Sequence, residues 1–564
     1  MYGKAGDLAT IVAMQGFKTP RCPISQSVVY GFCMNSEHRP LRASPQRSRP
    51  VVWLVLALCV AGALIRMLHL ENFPFPIHND ETSSIVDGIR HFMPGQRGGW
   101  ALFGSAFGGH PNLSYWLNAI PSRIIGEVTL WSSRLGAAIC GTLSMVIFAL
   151  FVVRAFGRNV GLFFLVLIVP YHFHVHFSRT AFPYIDALLG MAAVSLAFVW
   201  YVERPTLVRA LVVGILMGLA ALTYPATHVL PGAIACGVVF GVYPTLIRER
   251  GGWRATRDTV LMTIAFIVGI GISLTPQILH AMRNGYTSRL SSTFIFQPHN
   301  ITHLSPFVGI PNPTPFDVLI FNLWRTLIIF YKADSAEQYQ FNDNPLPVWG
   351  AALGVIGALV LLLGCFKRRP IPIYIIATTV FTIVASALMV EGPFSPHLIV
   401  LALIIPLAIA VGWGTLLDIV RCKRVALVAV ATGVLGVAWT HWNWTFYNTV
   451  VDPERSRLGR IPNYILRLPI DKKRVTEILG VASHHVGPNE SYYQLIYPNS
   501  TQVQLDRATT AEQISQRLRE RPGSVVILED MDDLAKVESV LKAHGRDVQV
   551  FTYRNMPVGF LYVK

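Results

Sequence analysis

The chain has 564 residues, of which 52% are hydrophobic and only 14% charged, and its mean hydropathy is +0.46. A soluble protein of this length needs far more charged surface, so most of the chain belongs in lipid. The formal charge of +16 does not point to nucleic acid, because Lys and Arg cluster in short segments between apolar runs, the pattern of cytoplasmic loops.

In chain order, residues 1–50 lack the apolar core of a signal peptide and end in a basic stretch, His38, Arg39, Arg42, Arg47 and Arg49. They read as a disordered cytoplasmic tail in which Met34 is an alternative start. Runs long enough to cross a bilayer, roughly 17–25 residues, lie near 51–69, 131–153, 159–177, 183–201, 207–224, 228–247, 259–279, 348–366, 371–390, 397–419 and 424–440. Eleven membrane helices are therefore expected. The shorter run 111–126 carries Pro111, Pro121 and Arg123 and reads as an interfacial helix.

The basic residues fix the sides. Arg154 and Arg158, Arg204 and Arg209, Arg248 to Arg257, Lys367 to Arg369, and Arg421 to Arg424 all fall on the side of the N-terminal tail. The positive-inside rule then places the N-terminus in the cytoplasm, the C-terminus outside, and three larger segments outside: 70–130, 280–347 and 441–564. The last alternates helix-like stretches (474–486, 510–521, 533–544) with strand-like ones (492–497, 524–528, 548–553), as a small α/β domain would. The 280–347 segment, long and rich in aromatic residues and Asn, reads as a lid over a substrate groove. None of the seven cysteines has metal-site spacing or lies in an outside segment, so no disulfide framework is implied.

Chemistry in such a protein concentrates in polar residues at helix ends. Asp80-Glu81 follows the first helix closely. The pair is either a general base with a helper or the acidic start of a helix, with Asn79 or Asp80 as cap. Arg134, at the outer end of the second helix, is a snorkelling anchor or an anion ligand. His172 and His176 share a helical face with zinc-like spacing, His174 turned away, and interfacial hydrogen bonding is the competing use. Asp186 lies inside an apolar helix, where a carboxylate must find a partner.

Together these pieces resemble the GT-C membrane glycosyltransferases, in the branch of the protein O-mannosyltransferases and lipid A aminoarabinose transferases. Asp80-Glu81 is similar to the family's Asp-Glu motif, and His110-Pro111-Asn112-Leu113-Ser114-Tyr115-Trp116 to its His-Pro-Pro-Leu-Tyr-Tyr-Trp segment. Arg134-Leu135 with Gly141-Thr142-Leu143, the run from His174 through Ser178-Arg179 to Asp186, Asn342 to Pro347, and Glu391 to His397 resemble later family segments. No Arg follows His397 before the tenth helix, a departure from relatives that carry one there.

The resemblance, covering roughly residues 50–420, implies a multi-pass, mainly α GT-C bundle (51–440) followed by the extracytoplasmic α/β domain. It implies an inverting glycosyltransferase that moves sugar from a polyprenyl-phosphate donor to an acceptor on the extracytoplasmic face. A bacterial inner membrane is expected, because the outside segments carry few N-glycosylation-type signals and no cysteines. Asp80 would be the base and Glu81 would orient a substrate. Arg134 and Arg179 would meet the lipid phosphate, with Lys332, Arg325 and Arg289 as further cations. Asp186 would pair with an arginine or touch the sugar, and His110 and Tyr115 would contact substrate. No cofactor is certain, and there is room for a divalent metal. Were the acceptor itself a phosphate, the two acids would instead bind a divalent metal or the sugar. Partners are the lipid-linked donor, membrane lipids and a glycan, lipid or protein acceptor. The rival function is a transporter or flippase, which would place ionisable sites at mid-membrane in repeated halves. Here the acids gather at one face.

Overall fold

The computed structural model describes residues 49–71, 113–284, 313–328, 345–389, 395–420 and 425–451, five C-terminal strands, and scattered residues that include Pro74, Glu81, 84–86, Gly88, Pro111 and 294–297. The expected helix positions are occupied throughout. Helix α1 is Arg49–Met67, α2 Leu113–Ile125, α3 Leu130–Phe156, α4 Arg158–Ile168, α5 His172–Ser178, α6 Tyr184–Glu203 and α7 Leu207–Ala221. A 3₁₀ turn at Pro225–Val229 leads into α8 (Leu230–Gly237), a π turn (Val238–Val242) and α9 (Tyr243–Arg250). Then come α10 (Gly252–Asn284), α11 (Pro315–Ile328), α12 (Val348–Phe366), α13 (Pro370–Ala387), α14 (Leu401–Val420) and α15 (Val425–Phe446), whose outer end continues as a π turn (Tyr447–Val451).

Among the described residues, seven helical segments are long and apolar enough to cross a membrane, and an eighth is the bent pair α4–α5. The chain is an integral membrane protein. The count falls below the expected eleven because the apolar helices α1 and α7, and α15, which carries Thr440, His441 and Asn443, are not among the qualifying spans. The single helix expected over 159–177 is instead two pieces, with a bend of 63° between α4 and α5. Pro170 sits in the break, where it has no N–H to give and its ring clashes with the preceding turn.

Local chemistry sets the boundaries. Helix α3 opens with a reciprocal box in which Ser132 N–H donates to Thr129 Oγ1 (3.0 Å) and Thr129 N–H to Ser132 Oγ (2.9 Å). Gly157 closes it at φ 92°, a left-handed turn that starts α4 without a loop. Thr314 and Asp317 cap α11, and the Thr314 hydroxyl and then its amide hold the Asp317 carboxyl below the usual carboxylate range.

Helix α3 packs against α1, α2, α4, α5 and α6 and forms the centre of the bundle. A large apolar core runs through it, in which the Phe148 ring meets those of both Phe151 and Phe164. Burial separates inner from lipid-facing helices: 67% of the α6 span is buried inside the protein but only 17% of the α10 span.

The C-terminal strands are β1 (Glu477–Val481), β2 (Thr501–Leu505), β3 (Ser524–Leu528), β4 (Val548–Tyr553) and β5 (Met556–Val563), in the order β2-β1-β3-β5-β4. Strand β1 runs parallel to both β2 and β3, while β5 is antiparallel to β3 and β4. Two expected strands, 524–528 and 548–553, are present as β3 and β4. The helix expected over 474–486 is corrected: its segment Glu477–Val481 is the strand β1. A short apolar run paired on both edges lacks the alternation that distinguishes strand from buried helix. Strands β2 and β5 had no counterpart in the sequence reading, and 492–497 lies outside the described residues. The described residues of the two other expected helices, Gln513, Gln516, Glu520 and Ser539, Lys542, Ala543, are helical.

Candidate functional site

The first helix ends where its last carbonyls need donors. Arg179, the residue after α5, supplies them from one guanidinium: Nη1–H donates to Ile65 O, and Nη2–H to Leu68 O (2.7 Å) and His69 O (3.1 Å). The next stretch is held by Arg134, in the first turn of α3, whose Nη1–H group donates to Leu70 O and Pro74 O, both at 2.9 Å.

Arg134 also makes a two-pronged ion pair with Glu81, Nε–H to Oε1 at 2.7 Å and Nη2–H to Oε2 at 3.0 Å. Both side chains are 0% exposed. Glu81 Oε1 further accepts the backbone N–H of Ala181 at 2.9 Å. Glu81 therefore ties together three motifs far apart in sequence: the acidic pair after α1, the arginine of α3 and the junction between α5 and α6. Neither anchoring of Arg134 in the headgroups nor a free helix-start role for Glu81 describes this geometry.

A third buried arginine, which the sequence reading passed over, closes the break. Arg66 donates to Val169 O (3.1 Å) and Ile168 O (3.1 Å), carbonyls at the break, and to Gly62 O (3.0 Å) of its own helix. It also reaches His174 Nδ1 at 2.9 Å. Arginine only donates, so Nδ1 accepts and the ring proton sits on Nε2, donating to Ser144 Oγ at 3.1 Å. An Arg inside the first apolar run was the available signal.

The three histidines of α5 have separate partners. His172 Nε2 meets Pro345 O (3.0 Å), and His176 Nδ1 meets Tyr447 Oη (2.8 Å), so the i, i+4 pair serves hydrogen bonding. Among the described residues no group of three or more His, Cys, Asp or Glu is placed to hold a metal ion.

Asp186 is fully buried in the first turn of α6, and Asn118 of α2 donates to its Oδ2 at 3.2 Å. Among the described residues it thus faces the Asn118 amide and the Cys140 and Ser114 side chains rather than an arginine. Tyr115, one turn before Asn118, is buried against the segment that carries Glu81: a Cβ on Gly88 would lie 2.5 Å from Tyr115 O. Arg325 lies over the Phe321 ring at 5.3 Å. Asp80, His110, Arg289 and Lys332 lie outside the described residues, as do Asn342 to Asn344.

Close approach also governs α3 against α5. A Cβ on Gly141 would fall 2.2 Å from Ser178 Oγ and 2.6 Å from Ser178 Cβ. Ser178 precedes Arg179 and donates to His174 O at 2.6 Å, so it cannot turn away freely. Gly141→Ala is expected to cost about 1–3 kcal/mol through overpacking, read as a lowered melting temperature in detergent. An unchanged melting temperature would show that the two helices separate easily.

An apolar cavity of about 330 Å³ adjoins Pro111, lined by Met217, Leu222, Pro231, Ile270 and Ile278, with His228 and Gln277 at its polar points.

No curated protein matches the chain. Among solved structures it is similar to the archaeal oligosaccharyltransferase AglB from Archaeoglobus fulgidus in complex with an inhibitory peptide and a dolichol-phosphate. That match has 12% identity over 79% of this chain and 63% of AglB, with a TM-score of 0.48. The chain thus spans less than two thirds of that protein's length. It is also similar to ArnT from Cupriavidus metallidurans bound to undecaprenyl phosphate, with 14% identity over 92% of this chain and 98% of that one and a TM-score of 0.47. For the arabinosyltransferase EmbB from Mycobacterium smegmatis the values are 13%, 77%, 41% and 0.36. In sequence, residues 109–270, the stretch that holds Tyr115, Arg134, Arg179 and Asp186, match the family described as dolichyl-phosphate-mannose-protein mannosyltransferase.

Proposed function

We propose that this protein is a GT-C-type membrane glycosyltransferase that moves a sugar from a polyprenyl-phosphate donor to an acceptor on the extracytoplasmic face. The observation that carries the reading is the convergence on Glu81. It accepts from Arg134 and from Ala181 N–H, which fixes the segment beginning at Asp80 against the part of the chain that matches the mannosyltransferase family. The positive-inside pattern supports a cytoplasmic N-terminus and an outward-facing site in a bacterial inner membrane, with 51–440 as the catalytic unit and 441–564 as an extracytoplasmic domain.

In this reading Asp80 takes the proton of the acceptor hydroxyl. The oxygen attacks the anomeric carbon opposite the phosphate, and the broken C–O bond leaves its electron pair on the lipid phosphate. Glu81 and Arg134 are committed to each other and serve to hold the chain at Glu81. Compensation of the leaving phosphate falls to Arg179, Lys332 and His110, and sugar contact to Tyr115 and Asp186. The apolar cavity beside Pro111 supports a lipid substrate.

A transporter would exploit a broken membrane helix as its site. Here the carbonyls at the break, Leu167, Ile168 and Val169, are taken by Trp439 and Arg66, which favours a static role for the bend. Mass spectrometry of the protein purified with native lipids tests the choice. A co-purifying polyprenyl phosphate, free or sugar-loaded, is expected. Its absence under conditions that retain ordinary phospholipids would favour the transporter.

A further inference from the structure

Helix α15 carries polar groups on its buried face. Val430, Val434, Val437 and Trp444 of α15 are exposed, whereas Trp439, Asn443 and Tyr447, one turn apart, are all buried. Each meets a group that the α4–α5 break leaves without its usual helical partner, or the short helix beyond it. Trp439 Nε1–H donates to Leu167 O at 2.8 Å; Leu167 lost its ordinary donor because Tyr171 N–H turns to Ile168 O. Helix α5 has no side-chain cap of its own, and its first amide, His172 N–H, donates to Asn443 Oδ1 at 3.0 Å. Asn443 is itself fixed by donating Nδ2–H to Trp439 O at 2.8 Å. Tyr447 Oη meets His176 Nδ1 at 2.8 Å, and the Phe446 ring stacks on His172 at 4.7 Å.

We infer that the outer end of α15 is a positioning strut for the site, with Trp439, Asn443 and Tyr447 setting where α5 lies and hence where Arg179 lies. Arg179 is the residue on which α5 ends, and its guanidinium holds the end of α1 through Ile65, Leu68 and His69. A shift of α5 therefore moves both a candidate phosphate ligand and the stretch that leads to Asp80. The strut comes from outside the family-matched stretch 109–270. Its catalytic consequence rests on the transferase reading; its structural part does not.

The test uses the full chain in lipid nanodiscs, with Asn443→Leu and Tyr447→Phe as variants and Thr449→Ala, an exposed residue bonded only along its own helix, as control. Two quantities are measured: hydrogen exchange of peptides covering 172–179, and initial rates of sugar transfer from a polyprenyl-phosphate donor. Exchange is expected to rise about fivefold or more in both variants. The turnover number is expected to fall about 10–10²-fold, with donor KM changed less than about twofold and with Thr449→Ala unaffected. Tyr447→Phe removes a single hydroxyl and keeps the ring, so it reports even if Asn443→Leu fails to fold. Unchanged exchange in 172–179 overturns the strut. Raised exchange with full turnover overturns its positioning role. Should the parent protein transfer no sugar, the transferase reading fails, and exchange alone then decides whether α15 holds α5.

Discussion

Replacing Asp80 by Asn is expected to lower transfer by about 10²–10⁴-fold, the contribution of a positioned general base, while leaving the protein folded and its lipid donor bound. Asparagine preserves size and hydrogen bonding but cannot take a proton. The neighbouring Glu81 is locked to Arg134 and the Ala181 amide, so the segment keeps its anchor in the variant. Initial rates with an isolated polyprenyl-phosphate sugar measure the drop, and mass spectrometry of the co-purified lipid shows which species accumulates. Sugar-loaded carrier in the variant, against free lipid phosphate in the parent, places Asp80 in the chemical step. Near-normal turnover would remove it from that role. A normal rate with a phosphate-bearing acceptor but not with an alcohol would mean that no deprotonation is needed.

The second large effect is on stability. Arg134→Met or Glu81→Gln alone is expected to destabilise the protein by about 3–5 kcal/mol, because each leaves a buried charge without its partner. Loss of Arg134 strips Glu81 of both its guanidinium contacts and leaves Leu70 O and Pro74 O without that donor. The double variant, with no charge left in the site, is expected to recover much of the loss. Thermal unfolding in detergent provides the comparison. Should both singles melt within a degree or two of the parent, the pair is not the clamp described here. Transfer by the double variant is expected to stay low even when it is stable, because the frame behind Asp80 is gone.

Much of the architecture is legible in composition and period. Apolar runs of membrane length identify the helices with little ambiguity, since a backbone in lipid must satisfy its own hydrogen bonds and a helix does so locally. Pro170 lay within the run expected as one helix; the two-piece reading needed the freed carbonyls and the donors that reach them. In the C-terminal segment, β3 and β4 stood out as β-branched runs. Strand β1 did not, because its pairing with β2 and β3 is non-local and Glu477–Val481 alone reads equally well as a helix.

For the site, residue types and their order marked Glu81, Arg134, Arg179 and Asp186, since charge at the ends of apolar helices must have a partner. Which partner was decided only by the fold. Glu81 and Arg134 are 53 residues apart and Asn443 is 271 from His172, and no local period links such positions. Sequence by itself determined that this chain lives in a membrane and carries acids and arginines at its helix ends. Tertiary structure decided that Glu81 neutralises Arg134, that Arg179 and Arg66 hold backbone carbonyls, and that α15 grips the broken span. Burial in a low-dielectric bundle leaves each polar group only the partners that packing brings within 3 Å or so.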